Sequence, residues 1–325
     1  MTVFLDNKTG DAWSFIFDKG TLDFSILLKG KSHRGILDYQ AAHSGTTMPI
    51  IVTKVSRSEL RVYTWDFNLN KWKMKRFIFE KTISNFFISR NASNEFHLLI
   101  EIETGSINEI IHLFYNQDSW IRVNLTFSKC KLIDLTYLSA EKKLILTIFF
   151  NNNKNLETFI WNSIINKWDT WNISFEIPRG HLLSVGYTKN VFHFTTLIKK
   201  GFYNINYKSL CINNNCVLSE SNIIMLPAFY PKKCYLLKDR LLTAIYCTSL
   251  KQGYLYFMRD ESQWAEAPID KIASPKKISR VYSHTGYINS YLVFHELFNI
   301  DLKPPILLRI DEILTLLKQK FQITF

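Results

Sequence analysis

The chain predicts an all-β fold: a seven-bladed propeller of four-stranded antiparallel blades. Three observations predict it. Trp72, Trp120, Trp168 and Trp264 fall in phase at 48 residues, with Cys216 at the missing turn of the count and Phe24 one period before Trp72. A period of this size marks an array, because one supersecondary unit cannot bury its own apolar face. Within each period, short β-prone runs alternate with turn-forming Asn, Asp, Gly and Ser and carry no helical spacing. The two ends of the chain are incomplete in complementary ways.

The unit is clearest over residues 82–127. Residues 82–88 form an apolar run, followed by the turn Ser89 to Asn94. A second run over 95–102 is broken by Thr104, Gly105 and Ser106, a third covers 110–115, and a short polar turn leads into the alternating run 120–127. Four strands joined by tight turns make an antiparallel meander. The next copy has strands at 134–139, 143–150, 157–162 and 168–175. The blades are expected at 33–79, 80–128, 129–177, 178–220, 221–271 and 272–319.

Residues 1–30 hold three strands, at 3–6, 12–18 and 22–28, in phase with the second, third and fourth strands of a unit. Residues 320–325 arrive where a first strand is due, so they are expected to complete this blade and close a single domain spanning 1–325. Closure removes the unpaired sheet edges of an open array. The competing architecture has six blades and a C-terminal helix over 311–320, where DEILTLLKQK has helical spacing. Trp13 sits out of phase and reads as third-strand packing.

Paired positions support the register. Trp65 and Trp161 each precede a hairpin tryptophan by seven residues, in WDFNLNKW and WNSIINKW. His97 and His193, in EFHLL and VFHFT, are 96 residues apart, which makes them packing residues of second strands and not metal ligands. These repeats resemble β-propellers of the sialidase-like kind, in which an Asp or Asn turn leads into an apolar second strand and an aromatic hairpin ends in Trp. Hairpins such as VYTWDFNLNKW are also similar to those of kelch repeats. The resemblance spans the whole chain and is architectural. The kelch diglycine, a WD dipeptide in WD40 position and the Ser-x-Asp-x-Gly-x-Thr-Trp box of sialidases are missing.

Composition bounds the function. A chain with 47% hydrophobic and 15% aromatic residues can bury a large core. No apolar run reaches the roughly 18 residues of a membrane span, and residues 1–13 lack a signal-like pattern, so a cytoplasmic location is expected. The five cysteines show no metal-like clustering. Cys130, Cys234 and Cys247 read as small hydrophobes, while Cys211 and Cys216 flank a tight turn across which a disulfide is the lesser expectation. No phosphate-cradling loop, calcium loop or His-rich ligand set appears, so no cofactor or metal is expected.

Sialidase-like chemistry would need paired carboxylates and an arginine clamp. Arg34, Arg179 and Arg280 stand near the starts of innermost strands, and Glu80, Glu176 and Asp270 lie between blades, but they are scattered and form no motif. An interaction or scaffold module is therefore expected ahead of an enzyme. The resemblance, with Trp171 as a stacking surface, implies glycan binding or hydrolysis as the alternative. A net charge of +12 favours an anionic protein or polyanion as partner. The anion-binding candidates are Lys29, Lys31, Arg34, Lys131, Arg179, Lys199, Lys200, Lys276 and Lys277, placed by the repeat on loops at one end of the blades. Without interleaved aromatic and basic residues, sequence-specific nucleic-acid reading is not expected.

Overall fold

The computed structural model describes 26 strands together with residues 37, 55–58, 68–70, 79–82, 91–93, 95, 105, 116, 119, 125, 127, 129, 142, 154, 163–166 and 216. The chain divides into two compact units, Met1–Glu176 and Ile177–Phe325.

The first unit carries four sheets. Sheet A is β1 (Thr2–Leu5), β2 (Ala12–Asp18) and β3 (Thr21–Leu28); sheet B is β4 (Asp38–Ala42), β5 (Ile50–Lys54), β6 (Glu59–Asp66) and β7 (Lys71–Ile78). Sheet C is β8 (Ile83–Arg90), β9 (Phe96–Thr104), β10 (Ile107–Tyr115) and β11 (Trp120–Val123), and sheet D is β12 (Cys130–Leu138), β13 (Lys143–Phe150), β14 (Asn155–Asn162) and β15 (Lys167–Glu176). The second unit holds sheet E, formed by β16 (His181–Thr188), β17 (Val191–Lys200), β18 (Phe202–Cys211) and β19 (Val217–Ile224). It continues with sheet F, β20 (Lys233–Lys238), β21 (Thr243–Thr248), β22 (Gly253–Met258) and β23 (Trp264–Ile269), and sheet G, β24 (Lys277–Tyr282), β25 (Ile288–Phe294) and β26 (Ile306–Arg309).

Every sheet is an antiparallel meander in chain order, and sheets B to F have four strands each, so the fold is all-β and built of repeated meanders. Residues 1–30 supply three strands, as their phase predicts. The expected closing strand at 320–325 and the competing helix at 311–320 both lie outside the described residues.

The in-phase tryptophans open fourth strands. Trp65 pairs with Trp72 and Trp161 with Trp168 across their hairpins, with ring centroids 5.4 and 5.3 Å apart in edge-to-face geometry. Tyr115 and Trp120 take the same place in sheet C, stacked at 5.2 Å. Cross-strand aromatic pairs of this kind stabilise a hairpin beyond the area they bury. The turns are built locally. Asp66 accepts hydrogen bonds from the backbone N–H groups of Asn68 and Leu69, and Asn162 accepts one from Ile164. Asn70 and Asn166 then adopt left-handed φ values of 47° and 51°, which Asn tolerates better than most residues.

Apolar side chains fill the space between neighbouring sheets. One cluster joins Val52, Leu60 and Val62 of sheet B to Phe86, Leu98 and Ile100 of sheet C. A second joins Leu99 and Ile110 of sheet C to Leu135, Leu146 and Trp161 of sheet D. Successive residues of β9 thus face opposite clusters, since side chains alternate along a strand. The near-continuous apolar run Phe96 to Ile100 follows from burial on both faces.

Candidate functional site

In a four-stranded meander, the start of the first strand, the second-to-third turn and the end of the fourth strand share one end. In sheets B, C and D the first strands run side by side in the same direction. Gln40 of β4 donates from Nε2 to the Phe86 carbonyl of β8 at 2.8 Å, and its Oε1 accepts from the Ile88 N–H at 3.3 Å. Asn85 of β8 repeats the move, donating to the Leu132 carbonyl of β12 at 3.3 Å. The corresponding ends of these three blades therefore coincide.

This end is tied together by backbone bonds. Ile83 N–H donates to the Arg57 carbonyl at 2.7 Å, and Phe79 N–H to the Ser58 carbonyl at 2.9 Å. The Lys54 ammonium donates to the Ile83 carbonyl, so it serves as a strut. Arg57, Lys81, Lys129 and Lys131 are exposed here, together with the acids Asp38, Glu80 and Glu103. The end carries an excess of cations and is not uniformly basic.

Behind it lies a buried acid. Glu101, on β9, accepts from the Leu132 N–H at 2.8 Å and from the Asn108 side-chain amide. Burial pushes its carboxyl above the usual range, opposed by these hydrogen bonds and by the charge of Lys131. Lys131 thus already faces a carboxylate, while its side chain remains exposed on β12. Of the other candidates, Lys199 and Lys200 end β17, paired with Tyr203 and Phe202, and Lys277 opens β24, paired with Val293. Lys29, Lys31, Arg34, Arg179 and Lys276 lie outside the described residues. Lys131 belongs to the first unit and Lys199, Lys200 and Lys277 to the second.

The described residues considered for glycosidase chemistry fall on different elements. Arg280 lies within β24, Glu176 ends β15 and Glu80 is exposed between β7 and β8, while Asp270 lies outside the described residues. Trp171, on β15, has the Lys143 ammonium over its ring at 5.4 Å. Among the described residues no group of three His, Cys, Asp or Glu side chains stands together as a metal site. Cys211 and Cys216 form no disulfide and bracket a hairpin, with Cys211 N–H bonded to the Cys216 carbonyl at 2.9 Å. No helix among the described residues is long and apolar enough to cross a membrane.

The most elaborate polar arrangement among the described residues is buried between sheets C and D. Trp168 donates from Nε1 to His112 Nδ1 at 3.2 Å, and His112 Nε2 lies 2.9 Å from His97 Nδ1. The indole can only donate, so His112 Nδ1 is the acceptor and its Nε2 carries the proton. That proton is donated to His97 Nδ1, which leaves the remaining hydrogen of His97 on its Nε2, a buried atom with no hydrogen-bond partner among the described residues. Trp161 packs against both imidazoles, with centroids 4.8 and 5.0 Å away. Burial holds both rings neutral: His112 is pushed down to about 3 and His97 well below its ordinary 6.5.

His193 of β17 is the equivalent of His97 and bonds Tyr207 Oη at 2.8 Å. His97 was visible from its spacing with His193. His112 was not, because Tyr207 takes its place in sheet E and no like residue recurs. Glu101 left no signal either, since an acid inside a strand reads as exposed until its partners are known.

Neither a family model nor a curated protein matches the sequence. Among solved structures, the chain is similar to a fungal lectin from Aleuria aurantia, a six-bladed β-propeller with a novel fucose recognition mode. The identity is 10%, covering 82% of this chain and 90% of that one, with a TM-score of 0.49. It is also similar to TolB from Acinetobacter baumannii, at 13% identity over 82% of this chain and 62% of that one, with a TM-score of 0.46. At these scores the likenesses decide nothing about what this chain binds.

Proposed function

We propose that the chain is a non-catalytic interaction module, a propeller of seven blades whose ring residues 320–325 close, and that it takes an anionic partner on the basic end of the blades. The observation that carries this reading is the cation excess, 40 Lys and Arg against 28 Asp and Glu. The arrangement of the polar interior accords with it. Gln40, Asn85, Glu101 and the His97–His112 pair each bond across a sheet boundary or within the buried layer, as struts of a scaffold. Lys29, Lys31, Arg34, Lys131, Arg179, Lys199, Lys200, Lys276 and Lys277 are the proposed anion contacts, joined by the exposed Arg57, Lys81 and Lys129.

Such a surface recognises charge and not base or sugar identity, so binding releases counterions and weakens steeply with salt. The test is heparin chromatography. The wild type is expected to be retained at about 50 mM salt and the quadruple Lys199→Glu, Lys200→Glu, Lys276→Glu, Lys277→Glu variant to flow through. Flow-through of the wild type, or retention of the variant, overturns the anion-binding end. Turnover in a glycosidase panel, or salt-independent binding to neutral sugars on a glycan array, would replace this reading with the sugar-directed one. Deleting residues 320–325 tests closure: the truncated chain should unfold at lower denaturant, because it leaves an open sheet edge.

A further inference from the structure

We infer that the outer edge of sheet B is a docking strand for an extended acidic peptide, which adds to β7 as a fifth strand. This surface is separate from the basic blade end and does not depend on it.

The strand Lys71–Ile78 reads KWKMKRFI, with cations at Lys71, Lys73, Lys75 and Arg76 and no acid. Among the described strands it pairs with β6 alone, in an unbroken register from Asp66↔Lys71 to Glu59↔Ile78. The other outer strands of the unit are less able to accept a partner. β11 has four residues, and the ladders that hold β3 and β15 are irregular. Short and bulged edges resist pairing, whereas a straight edge of eight residues is a template for it.

The ladder shows which groups face outwards. Phe79 N–H donates to the Ser58 carbonyl, the next step of the β6–β7 register. Antiparallel bonding alternates, so the odd-numbered residues of β7 turn their N–H and C=O groups towards β6. Met74, Arg76 and Ile78 turn theirs away, along the outer edge.

The side chains add a charge and an apolar signature. Lys71, Lys73 and Lys75 share one face; Lys73 bonds Asp66, while Lys71 and Lys75 have no carboxylate partner among the described residues. On the other face Met74 and Ile78 are 47% and 67% exposed, flanking Arg76, which bonds Glu59 at 3.0 Å. Two such edges repel one another, so the lysines discourage self-pairing while admitting a strand with carboxylates at alternate positions. Outward backbone groups and exposed apolar side chains favour a peptide over a nucleic acid or sulfated glycan, which would use only the charge.

The test uses the full chain and a fluorescent peptide, acetyl-Glu-Val-Glu-Val-Glu-Val-Glu-amide, followed by anisotropy. Binding is expected at about 50 mM salt and should weaken by at least about tenfold in Met74→Pro, whose lost N–H makes no bond to β6. The Met74→Ala variant keeps the outward N–H and loses only side-chain contact, so it should bind no more than about threefold more weakly than the wild type, and heparin retention should be unchanged in both. The same peptide with its central Val replaced by Pro should bind the wild-type protein at least about tenfold more weakly, which tests strand addition without altering the fold. The inference is overturned if the wild type does not bind the peptide. It is overturned equally if Met74→Pro retains full affinity, or if the proline-interrupted peptide binds as well as the intact one. Loss of heparin retention with peptide binding intact would count against the basic blade end alone.

Discussion

Acid should unfold this protein by way of its buried histidine pair. In the folded chain His112 is held down to about 3 and His97 well below 6.5, because burial penalises the imidazolium. Released by unfolding, each returns to its ordinary value near 6.5 and takes up a proton as the pH falls. With folded values depressed, the stability is fully present above 6.5 and is lost as the pH drops below it. Between about pH 7 and pH 5 each ring of the unfolded state goes from mostly neutral to almost fully protonated, which costs about 2 kcal/mol for each histidine and about 4 kcal/mol for the pair. Glu101, whose carboxyl is raised by burial, works in the opposite direction as its ordinary value is approached. The clean perturbation is therefore His97→Gln, which keeps an acceptor for His112 Nε2–H, removes one titrating ring and leaves Glu101 alone. Urea unfolding followed by tryptophan fluorescence at the two pH values gives the difference directly. The variant should lose about 2 kcal/mol less than the wild type over this interval. Equal losses, within about 0.5 kcal/mol, would mean that His97 is not a neutral buried ring and that the tautomer chain from Trp168 is wrong.

Other outcomes follow from the same contacts. Gln40→Leu strips both hydrogen bonds that join β4 to β8 and should cost about 1–3 kcal/mol in chemical denaturation, since it orphans the Ile88 N–H. Ile100→Ala, at a fully buried position of β9, should cost about 2–5 kcal/mol by the same measurement. In native alkylation with iodoacetamide at about pH 8, Cys216 should react and Cys130 should not: Cys216 is exposed, while burial raises the Cys130 thiol to about 12. Reaction of Cys130 at a comparable rate would show that sheet D opens readily.

The array was legible because its signals repeat. Trp72, Trp120 and Trp168 are visible as a phase, and each opens a fourth strand. The meander within each unit was equally clear, since Asn and Asp turns interrupt runs with no helical spacing. The functional surfaces were harder to read for a physical reason. Charge on a loop says nothing about its neighbours, so Lys131 could not be seen to stand beside the buried Glu101 carboxylate. Nor could the alternation of KWKMKRFI distinguish a covered strand from an edge until β7 was found to pair, among the described strands, with β6 alone. His112 escaped because its counterpart is a tyrosine, and a periodic search sees only what recurs.

The two-sided packing of β9 constrains how such a chain can change length. Leu98 and Leu99 belong to different clusters, so inserting one residue within the strand would exchange the side chains offered to sheets B and D. Neither interface could absorb that swap without losing its fit. Variation in length is thereby confined to turns such as 68–70 and 163–166, or to whole blades gained and lost together. The same shared wall couples neighbours energetically: damage on one face of a blade weakens the adjoining sheet, so melting should spread from blade to blade and not stop at the injured one.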